Sequence, residues 1–149
     1  ALTLTSAALT ITGSCFALTG LFYKQLRHAF GPVLIMIMIF TDLLAAVGHY
    51  IDLIFGLCTL GAVTMQFFYL SSMLWTVCYT HYVFETFVRK SRVMMLTNWP
   101  YLLLYSIISF GLPTVTVIVG LAQGIFGPTV PWCWIKYEFE IYRLLLFYL

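Results

Sequence analysis

The chain alternates long apolar stretches with short polar ones, and the stretches are long and continuous. A helix crossing ~30 Å of hydrocarbon needs roughly 20 apolar residues. Residues 1–23 carry no charge and predict one such span. Thr5, Thr12, Ser14 and their neighbours do not forbid it, because helical hydroxyls bond back to the preceding turn. Lys24, Gln25, Arg27 and His28 end it. Residues 30–55 predict a second span, strongly apolar over 33–40 and then interrupted by Asp42, His49 and Asp52. Residues 57–88 predict a third, rich in aromatics and closed by Arg89, Lys90 and Arg92. Residues 99–126 predict a fourth with Pro113 inside it, where the missing backbone donor predicts a kink. Gly127, Pro128 and Pro131 break the pattern, a polar loop runs through Lys136, Glu138 and Glu140, and a fifth apolar run occupies 141–149. Membrane β-strands would instead show short segments of alternating polarity. Continuous apolar runs satisfy their backbone groups as helices.

Composition sharpens the class. Only 8% of the residues are charged and 62% are hydrophobic, whereas a soluble domain carries about 25% charge. Lipid or neighbouring helices must solvate most side chains, so the fold class is an all-α membrane protein. A net charge of +2 gives no reason to expect nucleic acid. No basic leader with a cleavage site opens the chain. It lacks a starting methionine and stops inside an apolar run, which suggests a fragment.

The few charges orient the spans. Lys24 and Arg27 lie between the first and second, and Arg89, Lys90 and Arg92 between the third and fourth. The junction between the second and third holds no Lys or Arg. The positive-inside rule therefore places the first and third loops in the cytoplasm and the N-terminus outside. Cys58, at the start of span three, and Cys133, in the loop after span four, then share the outer side, where disulfides persist. A bond between them would tie that loop over span three. The alternative is a pair of unpaired interfacial cysteines. Cys15 and Cys78 fall within spans and read as small packing residues.

An outside N-terminus, at least four spans, and a cysteine atop the third facing one in the next outer loop together suggest a seven-helix receptor. Pro131-Trp132-Cys133-Trp134-Ile135 resembles the Trp-Cys-Trp-Ile signature of the cyclic-AMP-receptor-like G-protein-coupled receptors, in the loop where that family carries it. Phe40-Thr41-Asp42-Leu43-Leu44 is similar to the family's second-helix Ala-Asp-Leu-Leu, with Thr41 for Ala. Leu74-Trp75-Thr76-Val77 resembles its third-helix Trp-Thr, and Gly111-Leu112-Pro113 its fourth-helix Gly-x-Pro, preceded by Phe110 where Trp is usual. Tyr142-Arg143 and Phe147-Tyr148 resemble the start of its fifth helix.

The resemblance implies a plasma-membrane, multi-pass receptor that transmits an extracellular ligand's binding to a heterotrimeric G protein. The chain would be one partial seven-helix bundle, its spans near 1–23, 30–55, 57–88 and 99–126, with a fifth beginning at 141–149. Without helices six and seven such a piece should not signal alone. The resemblance does not make cyclic AMP the ligand. Glu85-Thr86-Phe87-Val88-Arg89 closes the third helix in place of the Asp/Glu-Arg-Tyr triplet of rhodopsin-like receptors.

Candidate residues carry two readings each. Asp42, ionisable and deep in a span, costs about 3 kcal/mol there if unpaired. It is either a polar hub of the core, with partners on a missing seventh helix, or a hydrogen-bonded structural residue. His49, seven residues on, shares its helix face, Asp52 lies three beyond His49 nearer the outer mouth, and the two either line a ligand pocket or are satisfied polar groups. Gln66 and Tyr69, on the outer half of span three, are further pocket candidates. Trp75 is a packing aromatic or a pocket wall, and Trp132 and Trp134 are interfacial aromatics or a pocket cap. Arg89, Lys90 and Arg92 face either a G protein or anionic lipid. Glu85 and Arg89 are spaced to pair on one face. No cluster has metal-ligand spacing, no cofactor is implied, and no catalytic constellation stands out, so an enzyme is not expected.

Two other membrane classes would show different features. A transporter fragment would show internal repeats or broken half-helices, and a four-helix scaffold would gather several cysteines in one large outer loop. Neither feature is present in the sequence.

Overall fold

The computed structural model describes residues 2–23, 30–89, 98–129 and 133–143. Lys24, Gln25, Arg27, His28, Lys90, Arg92, Pro131, Trp132 and the run 144–149 lie outside the described residues, as does the side chain of Asp52.

The first four apolar stretches become helices. These are α1 (Leu2–Tyr23), α2 (Phe30–Phe55), α3 (Cys58–Val83) and α4 (Asn98–Ala122). Three described stretches, Phe30–Ile51, Cys58–Val88 and Trp99–Ala122, are long and apolar enough to cross a membrane. In α1 the corresponding described stretch is the shorter Ala8–Gly20. The outer face of α4 shows what solvates the molecule: Leu103, Ile107, Leu112, Val115 and Ile118 are all exposed, a row that only lipid or further helices cover without cost.

Two boundaries differ from the sequence expectation. The third span is not uniform, because after Val83 the chain makes a π-helical turn, Phe84–Val88. The Arg89 amide donates to the Phe84 carbonyl, five residues back, at 3.2 Å. The fourth span stops at Ala122, not Phe126. Gly124 adopts φ +62°, a left-handed conformation open to glycine. Its amide donates to Leu121 and that of Ile125 to Gly120, the paired bonds of a Schellman stop. Hydropathy overshot because Ile125 and Phe126 continue the apolar run past the stop.

The expected polar loop also has structure. Phe126–Pro128 (β1) and Cys133–Ile135 (β2) pair antiparallel, with Phe126 opposite Ile135, Gly127 opposite Trp134 and Pro128 opposite Cys133. A 3-10 turn, Tyr137–Phe139, leads into α5 (Glu140–Arg143).

The helices pack in chain order, α1 on α2, α2 on α3 and α3 on α4, and the hairpin sits against α3. α3 is therefore the hub. Gly48 lets α2 approach it closely, since a Cβ at that position would lie 2.9 Å from Thr64 Cγ2 and 3.2 Å from the Met65 amide nitrogen. Two buried clusters occupy the two ends of α3. Phe30, Leu34, Trp75, Cys78 and Tyr105 pack near the Arg89 end. Ala62, Ile125, Phe126 and Ile135 pack beneath the hairpin. Cys78 is in the core as expected, whereas Cys15 is exposed on α1 and packs no core.

Candidate functional site

At the start of α3, Cys58 is bonded to Cys133 of β2, with their Cα atoms 5.3 Å apart. The bond seats the hairpin on α3, and side-chain contacts complete the seat. The Trp134 indole N–H donates to Gln66 Oε1 at 2.8 Å. Gln66 is only 1% exposed, and its amide nitrogen has no hydrogen-bond partner among the described residues. It is therefore sealed beneath the hairpin, and a ligand would meet it only with the hairpin displaced.

Arg143, from α5, completes this end. Its Nε donates to the Ile135 carbonyl at 2.8 Å, and an Nη donates to the same oxygen. Its guanidinium carbon lies 5.2 Å from the Trp134 ring centroid and 4.5 Å from that of Tyr137, within the range where a cation and an aromatic face attract. Lys136 Nζ donates to the Gly124 carbonyl at 2.9 Å, tying the strand end to the stop of α4.

In the middle of the bundle Asp42 has a partner that the sequence did not reveal. Ser72 of α3 donates its hydroxyl to Asp42 Oδ1 at 2.6 Å. Thr41 instead bonds back to the Met38 carbonyl. His49 is buried, its Nδ1 lying 3.3 Å from Met65 Sδ across the α2–α3 contact. Tyr69 is 40% exposed and faces outward more than its neighbours on α3. Asp42, His49, Gln66 and Trp134 are thus strung along one line of α3 contacts and do not converge on one cavity.

Trp75 is fully buried and meets Phe110 of α4 edge-on, centroids 5.8 Å apart. It belongs to the packing cluster near the Arg89 end. Close by, His81 Nδ1 and the Tyr105 hydroxyl are 2.7 Å apart, joining α3 to α4. Glu85 accepts from Arg89 Nη1 at 2.9 Å, and His81 Nε2 lies 3.9 Å from the same carboxylate. An open groove of about 420 Å³ runs along this part of α3, lined by Thr76, Val77, Thr80, His81 and Phe84. None of the sequence-picked pocket residues lines it.

Among the described residues no three of His, Cys, Asp and Glu gather as a metal site would require. Sequence reading missed Ser72, Met65 and Tyr105, and it placed Arg143 only at the start of the fifth helix, without its partners.

Comparison with known proteins adds to this geometry. The family described as slime mold cyclic AMP receptor matches residues 32–149. Cyclic AMP receptor-like protein A of Dictyostelium discoideum is 29% identical over 145 residues, covering 95% of this chain and 38% of that protein. Cyclic AMP receptor 4 of the same organism is 31% identical over 91 residues, covering 61% of this chain and 20% of that protein. The mouse adhesion G-protein coupled receptor G4 is 28% identical over 92 residues, covering 58% of this chain and 3% of that protein. The chain therefore spans well under half the length of each of these relatives, all of which bear receptor names.

Proposed function

The chain belongs to the slime mold cyclic AMP receptor family, and from that premise we propose that it supplies the first four helices and the start of the fifth of a seven-helix, multi-pass receptor of the plasma membrane. In this reading the N-terminus and the disulfide end face outward. An extracellular ligand binds near the hairpin, and Arg89, with Lys90 and Arg92 beyond it, lies on the side of a heterotrimeric G protein. Asp42 is the polar hub between the two ends.

The observation that carries the reading is the Cys58–Cys133 bond seating the Trp134 hairpin on α3, at the end opposite Arg89. It agrees with an orientation derived only from the basic residues. A bonded cap at one end and a cationic rim at the other make an architecture for passing a signal along α3. Cyclic AMP is the first ligand to try, because the relatives are named for it.

The test uses the complete receptor in cells. An epitope placed before Leu2 should be stained without permeabilisation, and one inserted beside Arg92 only after it. Energy transfer between labelled G-protein subunits should then change on adding an extracellular ligand, with cyclic AMP tried first and other extracellular metabolites after it. The reverse staining pattern would overturn the orientation, and correct staining with no G-protein response to any ligand would overturn the receptor reading.

A further inference from the structure

We propose that Arg143 is a positioning residue that locks the hairpin to the head of the fifth helix and holds Trp134 on Gln66. Arg143 places one guanidinium against three partners from two neighbouring segments: the Ile135 carbonyl, the Trp134 ring and the Tyr137 ring. Ile135 is fully buried at the foot of β2, opposite Phe126, so its carbonyl is a fixed anchor. Trp134, the next residue along, donates to Gln66 on α3. A continuous chain of contacts thus runs from α5 through Arg143 and Trp134 to Gln66.

The chemistry calls for arginine. A guanidinium is planar, stays charged, and can aim two N–H groups at one oxygen while lying over aromatic rings. An ammonium is a point charge that can serve the carbonyl or the rings but lacks the flat fork. The charge is used on the aromatic faces of Trp134 and Tyr137, and no ion pair to Arg143 forms among the described residues. Gln66 shows the other end of the coupling: it is almost wholly buried and accepts the Trp134 indole N–H.

The consequence deepens the receptor reading and rests on it. If a ligand tilts the hairpin, Arg143 carries that movement directly into the head of the fifth helix, and Gln66 loses its cover in the same step. Trp134, Gln66 and Arg143 then act as one unit.

The coupling can be tested without any ligand or G protein, so its failure is separable from that of the receptor reading. The full chain is reconstituted in lipid nanodiscs with 5-fluorotryptophan, and the fluorine resonance of Trp134 is assigned by its loss in Trp134→Phe. Gln66→Leu should move that resonance by more than its linewidth. Arg143→Met should move it as well, and adding Gln66→Leu to Arg143→Met should then move it little further. The Trp75 resonance, in the other cluster, should stay in place throughout and serves as the check on folding. Should Arg143→Met lose the Trp75 resonance too, Arg143→Lys decides, with the Trp134 resonance expected to shift toward its Arg143→Met position. A Trp134 resonance unmoved in Arg143→Lys and Arg143→Met, or one that Gln66→Leu moves equally in both backgrounds, would overturn the proposal.

Discussion

The two ends of α3 are held by different kinds of force. At the Cys58 end a covalent bond, a two-stranded ribbon and directional hydrogen bonds fix the hairpin in one place. At the Arg89 end aromatic packing does most of the holding, through Phe30, Trp75, Tyr82 and Tyr105, and the helix finishes in a π turn. Thr86 records the difference. Thr64, Thr76, Thr80 and Thr114 all return their hydroxyls to the carbonyl four residues back. Within the π turn that register is lost, and the buried Thr86 hydroxyl has no partner among the described residues. π turns are rare and recur at functional sites. One end of α3 is therefore capped covalently, and the other closes on a π turn over aromatic packing.

The sharpest way to break this comparison is at the cap. The residues of the disulfide are 75 apart in sequence, and in the chain-entropy model closing such a loop stabilises by about 4 kcal/mol. Cys58→Ser should lose roughly that amount in denaturant unfolding in micelles and should free the hairpin, while Cys78 stays shielded from thiol reagents. The mirror experiment is Trp75→Ala. Removing a fully buried indole should cost about 3 kcal/mol through the cavity it leaves. Here Cys78 should become reactive while the disulfide persists. If either variant disturbs both ends equally, α3 has one core and not two.

Much of this division was legible in the sequence, and the gaps have physical causes. Apolar length found the helices because lipid demands it, and the two basic clusters marked one end. The disulfide followed from sidedness. The stop at Gly124 was missed because Ile125 and Phe126 remain apolar, and they do so because they fold back beneath the hairpin rather than extend the helix. The hairpin escaped notice because three-residue strands show no alternation. Ser72 could not be paired with Asp42 in advance, because a contact 30 residues apart depends on the register between two helices, and the close approach at Gly48 helps set that register. The picked pocket residues did not converge for the same reason, since helix-face spacing says which residues align but not what covers them.

Between the two ends, Ser72→Ala probes the polar midpoint. It leaves the Asp42 carboxyl without the donor that now bonds it at 2.6 Å. A buried acceptor deprived of its partner costs about 1–3 kcal/mol, toward the low end for a half-buried one such as Asp42, and replacing both partners by apolar groups is often close to neutral. Ser72→Ala should therefore destabilise by about 1 kcal/mol, and Asp42→Leu with Ser72→Ala by less than Ser72→Ala alone. Thermal unfolding in nanodiscs checks this. A double variant worse than the single one would mean that Asp42 is held by something other than Ser72. In the complete receptor, Asp42→Asn that left both folding and signalling unchanged would sink the hub.

The smallest effect is expected at Glu85, and its smallness is what makes it informative. Glu85, whose side chain is 16% exposed, pairs with Arg89, whose side chain is 67% exposed, and a pair one helical turn apart with its cation in solvent is worth at most about 1 kcal/mol. Glu85→Gln should therefore shift global unfolding by no more than that. Its effect should be local. The pair links the first residues of the π turn to the residue that closes it, so releasing it should speed amide hydrogen exchange at 85–89 severalfold while 60–66 stays protected. Raising the salt concentration should reproduce part of that loosening in the unaltered chain, because exposed pairs are screened. If Glu85→Gln instead costs more than about 1 kcal/mol in global stability, beyond what such a pair supplies, then the Arg89 end is as firmly fastened as the cap. α3 would then be a rigid rod between two fixed ends, and a signal would have to travel by displacing it as a whole.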